Sequence, residues 1–295
     1  MVAGIVRSLM AYAVPLLACF VLAGCSGKDG TAQGRVIAVS IEPQRCLLER
    51  IAGGRYDVVT VLPPGTDPET FEPAMSVRMR LADADAYMMA GHLPFEATFG
   101  RSLKGDNPRL LTMDTSEGID IITGTHVHSD GHGHSHDADP HTWTSARNAK
   151  IMAGNMLRGL CRLDPEGADV YKKNYSSLVL WIDSLDSAIS QRLEHVKGCS
   201  FVVWHPSLSY FARDYGLNQI SVGSEGKEAT ARALQRSVDR AVADSVRVFF
   251  FQREFDSRQA DAVNRHIGAR MVAIDPLGYD WEGQMNLIAD ELACP

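Results

Sequence analysis

The sequence predicts an α/β fold in which two lobes of parallel β-sheet are joined by one long helix. Two observations carry this expectation. Short β-branched or aromatic runs alternate with amphipathic helical stretches in both halves of the chain, and such alternation is typical of βαβ units with parallel strands. Between the halves, the stretch 165–197 carries one uninterrupted apolar stripe at helical spacing.

The alternating elements follow one another in chain order. The predicted strands are Val36–Ser40, Asp57–Leu62 and Ala86–Ala90 in the first half, then Phe201–Trp204, Gln219–Val222, Val246–Phe251 and Arg270–Ile274 in the second. The predicted helices are Pro43–Ala52, Ala74–Ala82, Ser207–Tyr215, Thr230–Ala243 and Ser257–Ile267, with one more starting at Asp139-Pro140-His141.

The long helix divides the chain. Asp164 followed by Pro165 is a helix-start signal, and no breaker follows until Gly198. Such a helix is about 50 Å long at ~1.5 Å per residue, which suits a rigid connector. We therefore expect a first lobe over 33–164, a connecting helix over 165–197 and a second lobe over 198–295.

The N-terminal segment has the pattern of a secretory signal. Arg7 precedes an apolar stretch that ends in Leu22-Ala23-Gly24-Cys25, and polar residues follow at once, so the stretch is too short for a membrane span. A cysteine directly after Leu-Ala-Gly looks like a bacterial lipobox. Residues 1–24 are then a lipoprotein signal peptide and Cys25 is the lipidated first residue, which anchors the chain to a membrane. The alternative is ordinary secretion with an incidental cysteine.

Composition narrows the class of protein. The chain is 45% hydrophobic and 22% charged, as globular proteins are, and its net charge of −7 gives no reason to expect nucleic acid as a partner. The cysteines outside the signal lack C-x-x-C spacing, which argues against a zinc–cysteine site or a thioredoxin motif. They allow three disulfide pairings that the sequence does not choose between: Cys46, Cys161, Cys199 and Cys294.

A polar, glycine-rich segment at 125–137 contains half of the ten histidines of the chain. Imidazole is the commonest biological metal ligand, and short His-rich tracts are typical of metal binding. We expect auxiliary metal sites here, with a spacer that binds nothing as the alternative. The histidines are His126, His128, His132, His134 and His136.

Four further polar residues lie at loops where sheet edges are expected: Glu69, His141, His205 and Asp275. In open α/β sheets, ligands bind outside the carboxyl ends of the strands. Two such edges that face each other would bring these side chains into one cleft. Two imidazoles and two carboxylates suit a transition-metal dication.

At this point the chain resembles a known family, the cluster A-I (cluster 9) metal-binding lipoproteins of bacterial ABC transporters, also described as ZnuA/TroA-like. The resemblance covers nearly the whole mature chain. It rests on Pro64-Gly65-Thr66-Asp67-Pro68-Glu69-Thr70-Phe71-Glu72-Pro73, Asp139-Pro140-His141-Thr142-Trp143, His205-Pro206-Ser207 with Asp214-Tyr215-Gly216-Leu217, Glu225-Gly226-Lys227-Glu228 and Ile274-Asp275-Pro276-Leu277-Gly278. It implies two (β/α)4-like lobes bridged by one long rigid helix, with the metal between them.

The resemblance also implies a ligand set. His141, His205 and Asp275 match the family's metal ligands, whereas Glu69 stands where the family usually has histidine. This departure leaves Zn²⁺ as the first expectation and Mn²⁺ as the alternative. His92, in the loop after a predicted strand, is a further candidate ligand if Glu69 does not bind.

The function that the resemblance implies is capture of Zn²⁺ and its delivery to an ABC permease, by a non-enzymatic monomer anchored in the cell envelope on the periplasmic or extracellular side. A manganese- or iron-binding member of the same family is one alternative. A zinc-dependent hydrolase is another, although the chain has no H-E-x-x-H and four protein ligands would leave no catalytic water. A surface adhesin is the third.

Overall fold

The computed structural model describes residues 35–123, 138–223, 231–253 and 257–294. Its first sheet contains four parallel strands, β1 (Val36–Val39), β2 (Asp57–Thr60), β3 (Ala86–Met89) and β4 (Leu111–Asp114), in the spatial order β2-β1-β3-β4. They are connected by α1 (Glu42–Ala52), α2 (Met75–Arg80) and α3 (Glu96–Asp106). β1 and β3 are almost wholly buried because helices cover a parallel sheet on both faces.

The second sheet repeats this arrangement. Its parallel strands are β5 (Ser200–Val203), β6 (Asn218–Ser221), β7 (Val248–Gln252) and β8 (Arg270–Ile274), in the order β6-β5-β7-β8. The associated helices are α6 (Ser209–Tyr215), α7 (Ala231–Ala243), α8 (Ser257–Ile267) and α9 (Trp281–Ala293). The α/β class with two parallel sheets is thereby confirmed. Below, the two sheets with their helices are called the first and the second lobe.

Among the described residues between the two sheets, two α-helices follow one another in the chain: α4 (Ala146–Leu163) and α5 (Ala168–Leu193). The expected long helix is present, but its α-helical part is shorter than 165–197. A short 3-10 turn lies at each end of α5: Pro165–Gly167 before it and Glu194–Val196 after it. α5 packs against α1, α4 and α9. Its buried stripe belongs to one hydrophobic cluster with residues of both sheets, and consists of Leu178, Ile182, Leu185, Ile189 and Leu193.

Three elements were not predicted: β4, α3 and α9. β4 is a short edge strand with a Thr112 and an Asp114 in its four residues, so it lacks the apolar signal of a central strand. α3 contains two glycines, which weaken the helical pattern. Gly100 packs there against the Tyr87 ring, where an added Cβ would be 3.5 Å from that ring. The helix expected at Asp139-Pro140-His141 starts later, because a 3-10 turn, Thr142–Thr144, precedes α4.

Three further expectations concern membrane spans, the cysteines and the N-terminal and His-rich segments. Within the described ranges, no helix is long and apolar enough to cross a membrane. The four cysteines that allowed three pairings are all free thiols. The signal segment, the lipidation candidate Cys25 and the His-rich segment 125–137 lie outside the described residues.

Candidate metal centre

Glu69 lies in the loop that follows β2. Asp67 shapes this loop, because its carboxylate accepts the Glu69 backbone N–H at 2.9 Å and the Thr70 hydroxyl at 3.1 Å. This is a side-chain turn that Asp adopts readily. Phe71 then anchors the loop edge-on against Phe95, with ring centroids 5.2 Å apart. The Glu69 side chain is consequently held inward, with 14% of its surface exposed.

His141 lies just before the turn that leads into α4, and Asp139 fixes its orientation. One Asp139 oxygen, Oδ1, accepts both the His141 backbone N–H at 2.9 Å and the ring Nδ1 at 2.8 Å. Because an ionised carboxylate only accepts, Nδ1 carries the proton and Nε2 presents a lone pair. Burial would raise the pKa of Asp139, but the hydrogen bonds that it accepts from His141 hold that pKa below its usual range.

His205 follows β5, and the Gln252 side chain at the end of β7 fixes its backbone. Gln252 Nε2 donates to the His205 carbonyl at 2.9 Å and to the Ser207 hydroxyl at 2.6 Å, while Gln252 Oε1 accepts the His205 N–H at 3.3 Å. Burial, together with the neighbouring His141, lowers the pKa of His205 to about 3. The ring is therefore neutral at physiological pH, which is the form that binds metals.

These three side chains meet. The His141 and His205 Nε2 atoms are 3.1 Å apart, and His205 Nε2 lies 3.4 Å from Glu69 Oε1. Among the described residues, they form a group whose ligand atoms all lie within 4.8 Å of one another. Zinc–nitrogen bonds of about 2.0–2.1 Å place two tetrahedral ligands about 3.3 Å apart, so the donor spacing matches a small dication.

Asp275 takes a different position from these three residues. It follows β8 directly, and its backbone N–H donates to Gln284 Oε1 at 2.7 Å. It lines a cavity of about 310 Å³ together with residues of α1 and of the 62–65 segment, and it is not part of the three-residue group. A smaller cavity beside it is lined by both histidines, and the two cavities share Leu277.

His92 is exposed in the loop after β3, with a left-handed φ of 68°. Within the described part of the chain, it is not in the group formed by Glu69 and the two histidines. The auxiliary histidines His126, His128, His132, His134 and His136 fall in the segment outside the described residues.

Sequence reasoning missed the residues that hold the centre in place. Asp139 had a signal, since it precedes a candidate ligand by two residues, the spacing of a side-chain turn. Gln252 and the tryptophans had none, because their contacts join distant segments. Trp143 Nε1 donates to the Pro276 carbonyl at 2.9 Å, and Trp281 Nε1 donates to the Trp143 carbonyl at 2.8 Å. These buried bonds connect the segment bearing His141 to the segment bearing Asp275.

Comparison with known proteins finds relatives along almost the whole chain. Residues 37–293 match the family described as zinc-uptake complex component A, periplasmic (ZnuA). The high-affinity zinc uptake system protein ZnuA of Bacillus subtilis is 24% identical over 276 residues, covering 89% of this chain and 86% of the relative. A crystal structure of ZnuA superposes with a TM-score of 0.80 at 32% identity, covering 88% of this chain and 98% of that one.

The zinc-binding lipoprotein AdcA of Streptococcus pneumoniae is 24% identical over 267 residues, covering 87% of this chain. The match takes in 52% of the relative, so the chain spans about half the length of this larger protein.

Proposed function

This chain belongs to the periplasmic zinc-uptake complex component A family, and from that premise we propose that it captures Zn²⁺ outside the cytoplasmic membrane and delivers it to an ABC permease. The family consists of substrate-binding proteins for transport and not of enzymes. The single observation that carries the proposal is the convergence of Glu69, His141 and His205 from loops of both lobes. A site built from two lobes can hold a cargo ion and later release it.

We propose Glu69, His141 and His205 as the first three ligands and Asp275 as the fourth. The two imidazoles are preset for an ion, one by the Asp139 hydrogen bond and the other by burial that keeps it neutral. Two carboxylates would balance the charge of a dication. What supports Asp275 is that it lines the adjoining cavity, which shares Leu277 with the histidine pocket, and on this proposal its segment moves to bring the carboxylate to the ion.

The ligand chemistry favours zinc and leaves manganese as the alternative. Imidazole nitrogens suit zinc, whereas manganese prefers oxygen ligands. The buried pair of histidines therefore supports zinc. The carboxylates of Glu69 and Asp275 would also suit manganese, which is why manganese stays the alternative. The names of the two relatives, a zinc uptake protein and a zinc-binding lipoprotein, point the same way.

The remaining organisation is proposed from the sequence. Residues 1–24 would be a lipoprotein signal peptide and Cys25 the lipidated residue, so that the chain is an envelope protein anchored to a membrane. The domains would be 33–164 and 198–295 with 165–197 as connector, and the chain would act as a monomer. The segment 125–137 would supply weaker zinc sites that raise the local metal concentration, as tethered sites do.

A zinc titration tests the proposal. The soluble chain, purified without chelator, should bind one zinc tightly in competition with a chromophoric chelator. His141→Ala and His205→Ala each remove a nitrogen ligand and should weaken binding by at least about 100-fold, more than loss of an outer-shell partner. His266→Ala, on the exposed face of α8, is the matched control and should bind as the parent does. Full affinity in the double His141/His205 variant would refute the site.

A further inference from the structure

The outer edge of the cleft between the lobes carries a polar contact that the metal site does not explain. Tyr279 belongs to the segment between β8 and α9, and its hydroxyl donates to Glu49 Oε2 on α1 at 2.6 Å. The Arg45 guanidinium lies over the same ring, with its Cζ 5.3 Å from the ring centroid. One side chain of the second lobe is thus held by two charged residues of the first.

Arg45 also fixes the acceptor. Its Nε donates to Glu49 Oε1 at 2.8 Å, and its Nη1 reaches Glu42 Oε2 at 3.5 Å. Both oxygens of Glu49 are therefore engaged, one by Arg45 and the other by Tyr279. The hydrogen bond to Glu49, with burial, raises the pKa of Tyr279 to about 12, so the hydroxyl remains a neutral donor at physiological pH.

The contact stands at the entrance to the cavity of about 310 Å³. Tyr279, Arg45 and Glu42 line that cavity together with Asp275 and the 62–65 segment, which begins the loop that carries Glu69. Tyr279 is 47% exposed, which places the contact on the solvent side. Opening this contact gives the cavity a wider path to solvent.

The segment 275–281 is attached by two sets of contacts, one buried and one partly exposed to solvent. At its base, the bonds between Trp143 and Pro276 and between Trp281 and Trp143 are buried. At its tip, the half-exposed Tyr279 contacts Glu49 and Arg45 of α1. A partly solvated hydrogen bond is weaker than a buried one, so the tip can separate while the base stays in place.

We propose that Tyr279 is a positioning residue which, held by Glu49 and Arg45, keeps the Asp275 segment against the first lobe and slows escape of the bound metal through this cavity. The proposal rests on the proposed function, because it assumes that the cleft holds a metal ion. On this proposal the contact governs dissociation of the bound ion more than its association, because it lies on the solvent side of the cavity.

Zinc release from the loaded chain into excess chelator, followed by stopped-flow, tests this role. Tyr279→Phe removes the hydroxyl and keeps the ring beneath Arg45. The acceptor is a carboxylate but the bond is half-exposed to solvent, so the dissociation rate should rise by about 2- to 12-fold, which is about 0.5–1.5 kcal/mol. The association rate should stay within about twofold of the parent. Tyr175→Phe on α5, away from this cavity, is the matched control and should change neither rate.

Glu49→Gln provides an independent variant, because it removes the charge of the acceptor and spares Tyr279. The double variant should release zinc no faster than the faster single one, since both changes break the same contact. If the parent holds zinc and Tyr279→Phe releases it at the parent's rate, the positioning role is wrong while the proposed function stands. If the parent itself holds no zinc, both fall together.

Discussion

Replacing Asp139 with asparagine should weaken zinc binding without unfolding the chain. Asp139 is 11% exposed at its side chain, and its Oδ1 is the acceptor for His141 Nδ1. Asparagine has the same shape and keeps an oxygen that accepts, so the His141 ring stays in place. What is lost is the negative charge that makes the far nitrogen, Nε2, a stronger electron donor.

The magnitude follows from the type of hydrogen bond that changes. Hydrogen bonds to charged groups contribute about 1.5–3 kcal/mol, and neutral ones about 1 kcal/mol. The difference of about 0.5–2 kcal/mol corresponds to a loss of about 2- to 30-fold in zinc affinity. Asp139→Ala also frees the ring and should lose about 100-fold, the upper end for residues behind a metal ligand. Little screening by solvent is expected, since the pair is buried.

Competition with a chromophoric zinc chelator measures both losses, and thermal unfolding of the metal-free variants reports their stability. Asp67→Asn is the matched control. Asp67 makes the same kind of turn two residues before Glu69, but its carboxylate accepts from the Glu69 backbone N–H and the Thr70 hydroxyl and not from a ligand side chain. The zinc affinity of the Asp67→Asn variant should therefore change by less than about threefold. Wild-type affinity in Asp139→Asn, or an equal loss in Asp67→Asn, would refute the reasoning.

Three further outcomes are expected. Burial raises the pKa of Glu96 from 4.5 to about 7, so between these two values the folded chain keeps a proton that the unfolded chain loses. The free energy of unfolding should therefore fall as pH rises from about 4.5 to 7, by at most about 1.4 kcal/mol per pH unit. Urea denaturation at pH 5 and pH 7 should show a smaller difference between the two pH values in Glu96→Gln than in the parent. On α5, buried Ile182→Ala should cost about 2–5 kcal/mol of unfolding free energy in the same assay, whereas Leu180→Ala, 70% exposed, should cost under about 0.5 kcal/mol. Glu69→His should raise the ratio of zinc to manganese affinity in paired titrations, and an unchanged ratio would remove Glu69 from the ligand set.

Much of the fold could be predicted because its central strands and long helix have strong local signals. Two central strands, Val36–Val39 and Val248–Gln252, are buried on both faces, and their sequences are nearly continuous apolar runs. The helix α5 has a single apolar stripe. The edge strand Leu111–Asp114 and the glycine-containing α3 lack such signals. Their structure comes from packing onto neighbours that are distant in the sequence.

The candidate site divides along the same line. Glu69, His141 and His205 could be chosen as residues because each follows a recognisable turn or strand end, and the structure brings the three together. The position of Asp275 beside a separate cavity could not be predicted, because it depends on how the segment 275–281 lies against α1. Gln252 is also invisible to local patterns, since it reaches His205 only through the pairing of β5 with β7.

The hydrophobic cluster that runs from the first sheet through α5 to the second makes the two lobes a single thermodynamic unit. The described residues form one compact unit, and the stripe on α5 packs in a cluster with residues of both sheets. Each lobe also has a buried cluster of its own, but loss of one lobe would expose the shared cluster around α5, so damage to one lobe is expected to lower the stability of the other. Rotation of whole lobes would disrupt this shared cluster, so we expect the short loops that carry the ligands to move when the ion binds and leaves.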